Sequence, residues 1–311
     1  MTCPSRLGPE LIRRAAALIR EGKLVAFPTE TVYGLGANAL DPHAVARIFQ
    51  VKGRPSTSPI IVHVESREAA PALVTTWPAD AEKLAREFWP GPLTLVLPKR
   101  ECIPGIVTAG LPSVGLRVPA NEFALALLVD AGVPIAAPSA NRFTELSPTT
   151  AEHVRKSLGN SVDLILDGGP TQVGIESTVL SLAGAKPLLL RPGMISAEQI
   201  EAVIGKIEIA GGLSDGAHPS PGMHPRHYSP RTPLLLHVPS TGRGAYLWHT
   251  QRADSARSIQ MPSDPASYAA ALYETLHNLD DEGFDWIAVE MPPDEPEWLG
   301  IRDRLQRASS T

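Results

Sequence analysis

Short apolar runs alternate with amphipathic segments along most of the chain, and this alternation limits the fold to a mixed α/β type. Apolar residues recur at helical spacing over residues 10–21, 43–51, 80–89, 122–131 and 151–158. Strand-like runs occupy residues 24–27, 60–64, 93–98, 114–118, 135–137, 164–167, 177–182 and 187–190. The pattern predicts an α/β domain whose sheet is largely covered by helices.

The alternation stops in a stretch that is rich in Gly, Pro and Ser. Residues 205–232 have few apolar side chains to bury, so we predict a flexible linker there. Beyond it, the runs LLLHV, GAYLW and WIAVEM predict strands, and residues 265–279 and 298–308 predict helices. We therefore expect a larger domain over residues 1–204 and a smaller α/β domain over residues 233–311.

Charge, cysteine usage and hydropathy exclude several classes of protein. The net charge is −5, and residues 233–311 carry 6 basic and 12 acidic side chains, so any RNA contact is expected on a local basic patch of the larger domain. Cys3 and Cys102 have no metal-ligand spacing and provide neither a disulfide framework nor a zinc site. No long apolar run occurs near the start, so we expect no signal peptide, no membrane span and a cytoplasmic protein.

The segment TETVYGLGANAL, directly after the first predicted strand, has the composition of a ligand-binding loop. It carries the hydroxyls of Thr29, Thr31 and Tyr33 and the carboxylate of Glu30 beside two glycines, which let a backbone approach a ligand closely. We predict a polar loop over this segment. The same residues also fit a plain turn, so the loop alone leaves both interpretations open.

Basic side chains stand where they could meet anions. Lys52 and Arg54, in KGRP, form a rigid basic loop that suits phosphate, although a solvated surface loop is equally compatible. Arg117, in VGLRVP, has apolar neighbours, and its burial requires an anion that is either a substrate carboxylate or an internal Asp or Glu. Arg191, after an apolar run, is a second candidate for an anion partner. His63, in IIVHV, is either a structural histidine or a substrate ligand.

Further hydroxyl and amide groups occupy two loops. Ser139, Asn141 and Ser147 lie in a proline-containing loop between a strand and a helix. Ser147 or Thr149 could instead cap the helix, so function is assigned mainly to Ser139 and Asn141. Ser177 stands next to Glu176 at the start of a strand. These groups could hold a nucleotide or a small polar substrate.

The predicted linker carries an unusual number of ligand-type side chains, which are His224, Arg226, His227 and Tyr228. A lid that closes over a site is the natural explanation. The sequence has no GxxxxGK[ST], GxGxxG, CxxC or HExxH motif and no Ser-His-Asp order. Dispersed cationic and hydroxyl residues indicate an enzyme that positions a nucleotide rather than one that uses a covalent nucleophile.

Taken in order, the segments PTETVYGLG, KGRP, PIIVHV, WPGPLTLVL, VGLRVP, APSAN, ESTV and LLRPG resemble the YrdC-like family. The linker SPGMHPRHYSP, the trailing α/β region and the ending GIRDRLQRAS resemble the longer, two-domain members. The resemblance implies a twisted mixed sheet with flanking helices, followed by a smaller Rossmann-like domain.

The resemblance also implies an L-threonylcarbamoyladenylate synthase. In that reaction bicarbonate carboxylates the amine of L-threonine, and the carbamate attacks the α-phosphorus of ATP with release of pyrophosphate. A separate tRNA-modifying transferase complex would then use the product to form N6-threonylcarbamoyladenosine, and the synthase itself could contact tRNA weakly. Mg²⁺ would enter on the phosphates of ATP, with no protein-bound metal site.

Residue roles follow from the resemblance. Threonine would lie against Thr31, His63, Arg117, the backbone at Ala137, and Ser177. ATP would lie against Lys52, Arg54, Ser58, Ser113, Ser139, Asn141, Ser147, Arg191 and Tyr228, with Lys52 and Arg54 as the catalytic pair. Two positions depart from the usual pattern: Ser58 replaces a frequent asparagine, and His224-Pro225 replaces a basic and aromatic pair.

Two other functions remain compatible with the sequence. One is an RNA-binding or ribosome-associated module, because YrdC-like domains carry a concave basic surface. The other is a carbamoyl transferase that uses carbamoyl phosphate, as in hydrogenase-maturation relatives. The acylphosphatase-like and zinc-finger segments of those relatives are absent from this sequence, which argues against the second.

Overall fold

The computed structural model describes residues 8–210 and 227–309. Its helices are α1 Pro9–Arg20, α2 Pro42–Lys52, α3 Ala79–Phe88, α4 Glu122–Ala131, α5 Ala151–Leu158, α6 Ala197–Ile204, α7 Pro265–Asp281 and α8 Leu299–Ser309. Its strands are β1 Val25–Phe27, β2 Gly34–Asn38, β3 Val62–His63, β4 Leu93–Pro98, β5 Ser113–Arg117, β6 Ile135–Ala136, β7 Leu164–Ile165, β8 Thr178–Ser181, β9 Leu188–Arg191, β10 Glu208–Ile209, β11 Leu234–Leu235, β12 Gly244–Trp248, β13 Arg257–Gln260 and β14 Trp286–Val289.

Strands β1 to β10 form one mixed sheet in the order β10-β9-β8-β4-β5-β3-β6-β2-β1-β7. Parallel pairs, such as β3 with β5 and β4 with β8, alternate with antiparallel ones, such as β4 with β5. Apolar side chains of the central strands are buried against helices, as the near-continuous apolar runs predicted. The sheet confirms the predicted α/β fold.

One prediction is wrong in this region. The segment from Gly34 to Asn38, predicted as loop, is strand β2, which pairs antiparallel with β1 and β6. Its glycines hid the strand, because glycine is rare within strands. Gly36 is needed here, since a Cβ at this position would lie 2.7 Å from the ring of Phe27. Helix α6 and strand β13 were not predicted either.

Strands β11 to β14 form a second, parallel sheet in the order β11-β14-β12-β13. Helices α7 and α8 bury their apolar residues in the same core as β12 and β14. Strand β10 belongs to the first sheet although it lies within residues 205–232, and the exact domain boundaries stay a prediction. None of the described helices is both long and apolar enough to cross a membrane.

The two parts of the chain pack closely on each other. Gly174 lies so near α7 that a Cβ would be 2.3 Å from the carbonyl oxygen of Ala269. Gly300 of α8 similarly faces the backbone of Gly193. A Cβ on Gly300 would lie 2.9 Å from the Cα of Gly193. Only glycine permits backbones to approach this closely. These contacts hold α7 and α8 against the loops that flank β8 and β9.

Candidate functional site

A cleft that encloses about 540 Å³ of empty space, including space open to solvent, lies in the larger part of the chain. It is lined by loops that follow or precede the short strands. His227 and Tyr228, from the predicted linker, also contribute to the lining. The lining residues are Thr29, Thr31, Val32, Gly34, Arg54, Ile61, His63, Arg117, Ala137, Pro138, Ser139, Glu176, Ser177, Arg191, His227 and Tyr228. Three arginines and one glutamate make this lining cationic.

Arg117, at the end of β5, has an internal anion partner. Its Nη2 lies 2.7 Å from Oε1 of Glu30 and donates a hydrogen bond of 3.0 Å to the hydroxyl of Thr31. Its Nε donates to the carbonyl oxygen of Gly91 at 3.2 Å. Of the two anions that the sequence left open, the internal carboxylate is therefore present. The pair still leaves Arg117 on the wall of the cleft, fixed in one orientation by three neighbours.

His63 lies beside Arg117 across the parallel pairing of β3 with β5. Burial, and next the positive charge of Arg117, lower the pKa of His63 to about 3. The imidazole is thus neutral at physiological pH and acts as a hydrogen-bonding group rather than as a cation. Within the described residues its Nδ1 has no hydrogen-bond partner, which suits a ligand in the cleft.

Ser177 and Arg191 are hydrogen-bonded to each other in the lining of the cleft. Arg191, the last residue of β9, donates from Nε to the carbonyl oxygen of Ser177 at 3.0 Å and from Nη2 to its hydroxyl at 3.2 Å. The same hydroxyl lies 2.8 Å from that of Thr94 in β4. Antiparallel pairing of β8 with β9 brings these segments together. These contacts hold both the hydroxyl and the guanidinium in place in the lining of the cleft.

Glu176 is held by donors from several parts of the fold. Oε2 accepts from Nε of Arg304 at 2.7 Å and from the hydroxyl of Tyr273 at 3.2 Å, while Oε1 accepts from Ser147. Burial raises the pKa of Glu176, but the charges of Arg304 and then Arg191, with the hydrogen bonds, bring it below its ordinary value. The residue is therefore a carboxylate at neutral pH.

Lys52 anchors the loop that carries Ser139 and Asn141. Its Nζ donates to the carbonyl oxygen of Ser139 at 2.6 Å and also to that of Asn141. Burial, followed by the charge of Arg54, lowers the pKa of Lys52 well below its usual range. The amide of Asn141 donates to the carbonyl oxygens of Arg142 and Glu145. These two side chains therefore shape the loop.

Arg54 and Tyr228 are buried residues of the cleft lining. Arg54 donates to the carbonyl oxygen of Pro59 at 3.1 Å, and burial lowers its pKa to about 10, where it is still cationic at neutral pH. Tyr228 is 1% exposed and its ring lies 5.2 Å from the guanidinium carbon of Arg304. The end of the predicted linker is thus packed into the fold at this point.

The cleft brings together nine of the fourteen predicted site residues, which are Thr31, Arg54, His63, Arg117, Ala137, Ser139, Ser177, Arg191 and Tyr228. Lys52, Asn141 and Ser147 lie just behind the lining, Ser58 is buried, and Ser113 lines a separate small cleft. His224 and Arg226 lie outside the described residues. Their individual roles stay predictions.

Sequence reasoning missed several members of the site. Val32, Ile61 and Pro138 form the apolar part of the lining. From the sequence, an apolar residue that lines a cleft cannot be told apart from one in the hydrophobic core. Arg304 was also missed, since nothing in GIRDRLQRAS shows that one arginine of the helix is 1% exposed. Its helical neighbours suggest an ordinary surface helix.

A mixed sheet with a cationic, hydroxyl-lined cleft is the arrangement of an α/β protein that binds small anionic ligands. Comparison with known families is more specific. The Sua5/YciO/YrdC family, described as Telomere recombination, matches residues 17–193, and the family described as Threonylcarbamoyl-AMP synthase, C-terminal domain, matches residues 195–310. The chain belongs to the Sua5/YciO/YrdC family, in the form that carries this C-terminal domain.

Similar proteins extend over nearly the whole chain. Threonylcarbamoyl-AMP synthase of Bacillus subtilis is 44% identical, covering 96% of this chain and 92% of the relative. The synthase of Pyrococcus abyssi is 42% identical, covering 96% and 94%. A crystal structure described as P. abyssi Sua5 complexed with L-threonine superposes with a TM-score of 0.92 at 42% identity, covering 98% of this chain and 96% of that one.

Proposed function

We propose that the protein is a threonylcarbamoyl-AMP synthase that converts L-threonine, bicarbonate and ATP to threonylcarbamoyl-AMP and pyrophosphate. Bicarbonate carboxylates the threonine amine with loss of water, which gives a carbamate. A carbamate oxygen then forms a bond to the α-phosphorus of ATP, and the bond from that phosphorus to the pyrophosphate oxygen breaks.

The observation that carries the proposal is the cleft, whose lining combines three arginines with several hydroxyl groups. Arginine forks suit carboxylate and phosphate oxygens, and hydroxyls orient a small polar substrate. Full-length similarity to threonylcarbamoyl-AMP synthases at more than 40% identity supports the same reaction. No covalent nucleophile is required, because the carbamate itself attacks ATP.

The wall with Arg117 is the proposed threonine site. Arg117 would hold the substrate carboxylate, aided by the hydroxyl of Thr31, and the neutral His63 would accept a hydrogen bond at Nδ1. Ser177 and the backbone at Ala137 would complete this site. A pre-oriented guanidinium favours binding, because little side-chain entropy remains to be lost.

The wall with Arg54 and Arg191 is the proposed ATP site. Both guanidiniums would bind phosphate oxygens and stabilise the charge that develops on the leaving pyrophosphate. Lys52 would support the loop of Ser139 and Asn141 against the nucleotide, and with Arg54 would form the catalytic pair. Ser58, Ser113, Ser147 and Tyr228 are the further proposed contacts.

Mg²⁺ is proposed to arrive as part of the substrate MgATP. In the described part of the chain no three His, Cys, Asp or Glu side chains cluster as a metal site, and Mg²⁺ commonly binds through phosphate oxygens and water. The product would pass to a tRNA-modifying transferase complex in the cytoplasm, with at most a weak tRNA contact by the synthase itself.

Pyrophosphate release with each substrate omitted in turn tests the proposal. Release that needs threonine, bicarbonate and MgATP together is the expected result. Release with ATP alone, or none, would reject the synthase. A salt-dependent affinity for tRNA that does not depend on threonine would then favour an RNA-binding module.

A further inference from the structure

A buried arginine of the last helix reaches back to the wall of the cleft. Arg304, in α8, is 1% exposed and donates from Nε to Oε2 of Glu176 at 2.7 Å. Its Nη2 donates to the backbone oxygen of Glu176 at 3.2 Å, and its Nη1 to that of Pro192 at 2.9 Å. One side chain therefore ties together the loops that carry Ser177 and Arg191.

The partner of Arg304 has a special place in the cleft. Glu176 is the only acidic residue among the described residues of the lining, which otherwise carries three arginines. The charge of Arg304 is the largest influence that lowers the pKa of this carboxyl, and that of Arg191 follows. Without Arg304, Glu176 would keep Arg191 and the hydrogen bonds from Ser147 and Tyr273, but its negative charge would be less compensated and would weaken the attraction of the cationic lining for anions.

We propose that Arg304 is a positioning residue for the ATP site, which holds and neutralises Glu176 so that this carboxylate does not repel phosphates from the cleft. The inference rests on the proposed function, because it concerns the ATP site of that reaction. The C-terminal helix would thereby influence nucleotide affinity through Glu176.

Helices α7 and α8 are held against the larger part of the chain by contacts other than those of the Arg304 guanidinium. Gly174 packs against the backbone of α7, and Gly300 packs against Gly193. Lys156 of α5 forms an exposed ion pair with Asp281 of α7 at 2.6 Å. Loss of the Arg304 charge is therefore expected to change the electrostatics of the cleft more than the packing of the helices.

The test compares Arg304→Met with the wild type in steady-state pyrophosphate release. The KM for ATP is expected to rise on the order of tenfold, whereas the KM for threonine changes less than about threefold. Adding Glu176→Gln to Arg304→Met removes the charge of Glu176 and is expected to lower the KM for ATP again. A purely structural role of Arg304 would not be rescued in this way. Asp303, the second carboxylate on Arg304, keeps its ion pair with Arg307 in both variants.

Two single variants serve as controls, with folding monitored by circular dichroism and melting. Arg304→Lys keeps the positive charge but loses the guanidinium hydrogen bonds to the backbone oxygens of Glu176 and Pro192, so its KM for ATP is expected to lie closer to wild type than that of Arg304→Met. Lys156→Met breaks an exposed ion pair away from the cleft and is expected to behave as wild type. Equal rises in both KM values for Arg304→Met, or no rescue by Glu176→Gln, would overturn the inference.

Direct titration with a fluorescent ATP analogue separates this inference from the proposed function. If the wild type is active but Arg304→Met binds the ATP analogue with unchanged affinity, the inference is refuted and the proposed function is not. A wild type without synthase activity refutes the proposed function. In that case weaker analogue binding by Arg304→Met, restored by Glu176→Gln, still supports the electrostatic role, and unchanged binding rejects it.

Discussion

Arg117 and Glu30 form an ion pair inside the protein, with 2.7 Å between Nη2 and Oε1 and side chains that are only 4% and 5% exposed. Among the described residues no side chain or backbone group donates a geometrically regular hydrogen bond to this carboxylate. The positive charge of Arg117 is therefore the main interaction that offsets the cost of burying the Glu30 carboxylate. Removal of the arginine affects the stability of the fold as well as the proposed threonine site.

Arg117→Ala is expected to destabilise the protein by about 3–5 kcal/mol, because it leaves a buried carboxylate without a counter-charge. Denaturant unfolding of the variant measures the loss. The double variant Arg117→Met with Glu30→Gln removes both charges and is expected to recover most of the stability. If single and double variants lose the same stability, the ion pair is not the cause.

The double variant also isolates the binding role of Arg117. Threonine affinity is expected to fall by on the order of 2–5 kcal/mol, because the substrate carboxylate loses a desolvated charged partner. The affinity for ATP should change much less, since its proposed partners are Arg54 and Arg191. Calorimetric titration with each ligand provides the comparison, and equal losses for both ligands contradict the assignment.

The sequence predicted most strands and helices because their apolar periodicity survives in the fold, as in β4 and α4. It failed at β2, where glycines serve close packing against Phe27 rather than a turn. Arg117 was correctly singled out as a buried cation, but its partner depends on tertiary structure. Arg304 shows the same limit, since its contact with Glu176 spans 128 positions in the sequence.

Gly174→Ala is expected to loosen the packing of α7 on the larger part of the chain. The added Cβ would lie 2.3 Å from a backbone oxygen of Ala269, and Gly174 also has a φ of +82°. Gly283 is a matched control, with a φ of +66° and open space at its Cβ.

Both variants pay the strain of a left-handed alanine, about 1–2 kcal/mol. The free energy of unfolding of Gly174→Ala should fall by about 1–3 kcal/mol more than that of Gly283→Ala, because the added methyl group overpacks the contact with α7. Thermal unfolding of the two variants measures the difference. Equal melting temperatures would show that the close approach to Ala269 is not important for stability.

Two histidines stack between α5 and α7, with 3.8 Å between the ring centroids of His153 and His277. Burial, and then Lys156, lower the pKa of His153 to about 4. Burial, and then His153, lower the pKa of His277 to about 4. Glu274, Asp280 and Asp281 face the pair and oppose these shifts without reversing them.

Stability from this histidine pair is expected to be lost on acidification. Because the folded pKa values lie below the unfolded value near 6.5, the stabilisation is fully present above about pH 6.5 and declines as the pH falls toward 4. The loss between pH 7.5 and 5 should be about 1–2 kcal/mol per histidine. Melting temperatures over this range should fall less steeply for His277→Gln than for the wild type, whereas His43→Gln, at an exposed position of α2, should retain the wild-type slope. Parallel pH profiles for wild type and His277→Gln would show that the stacked pair does not control this pH dependence.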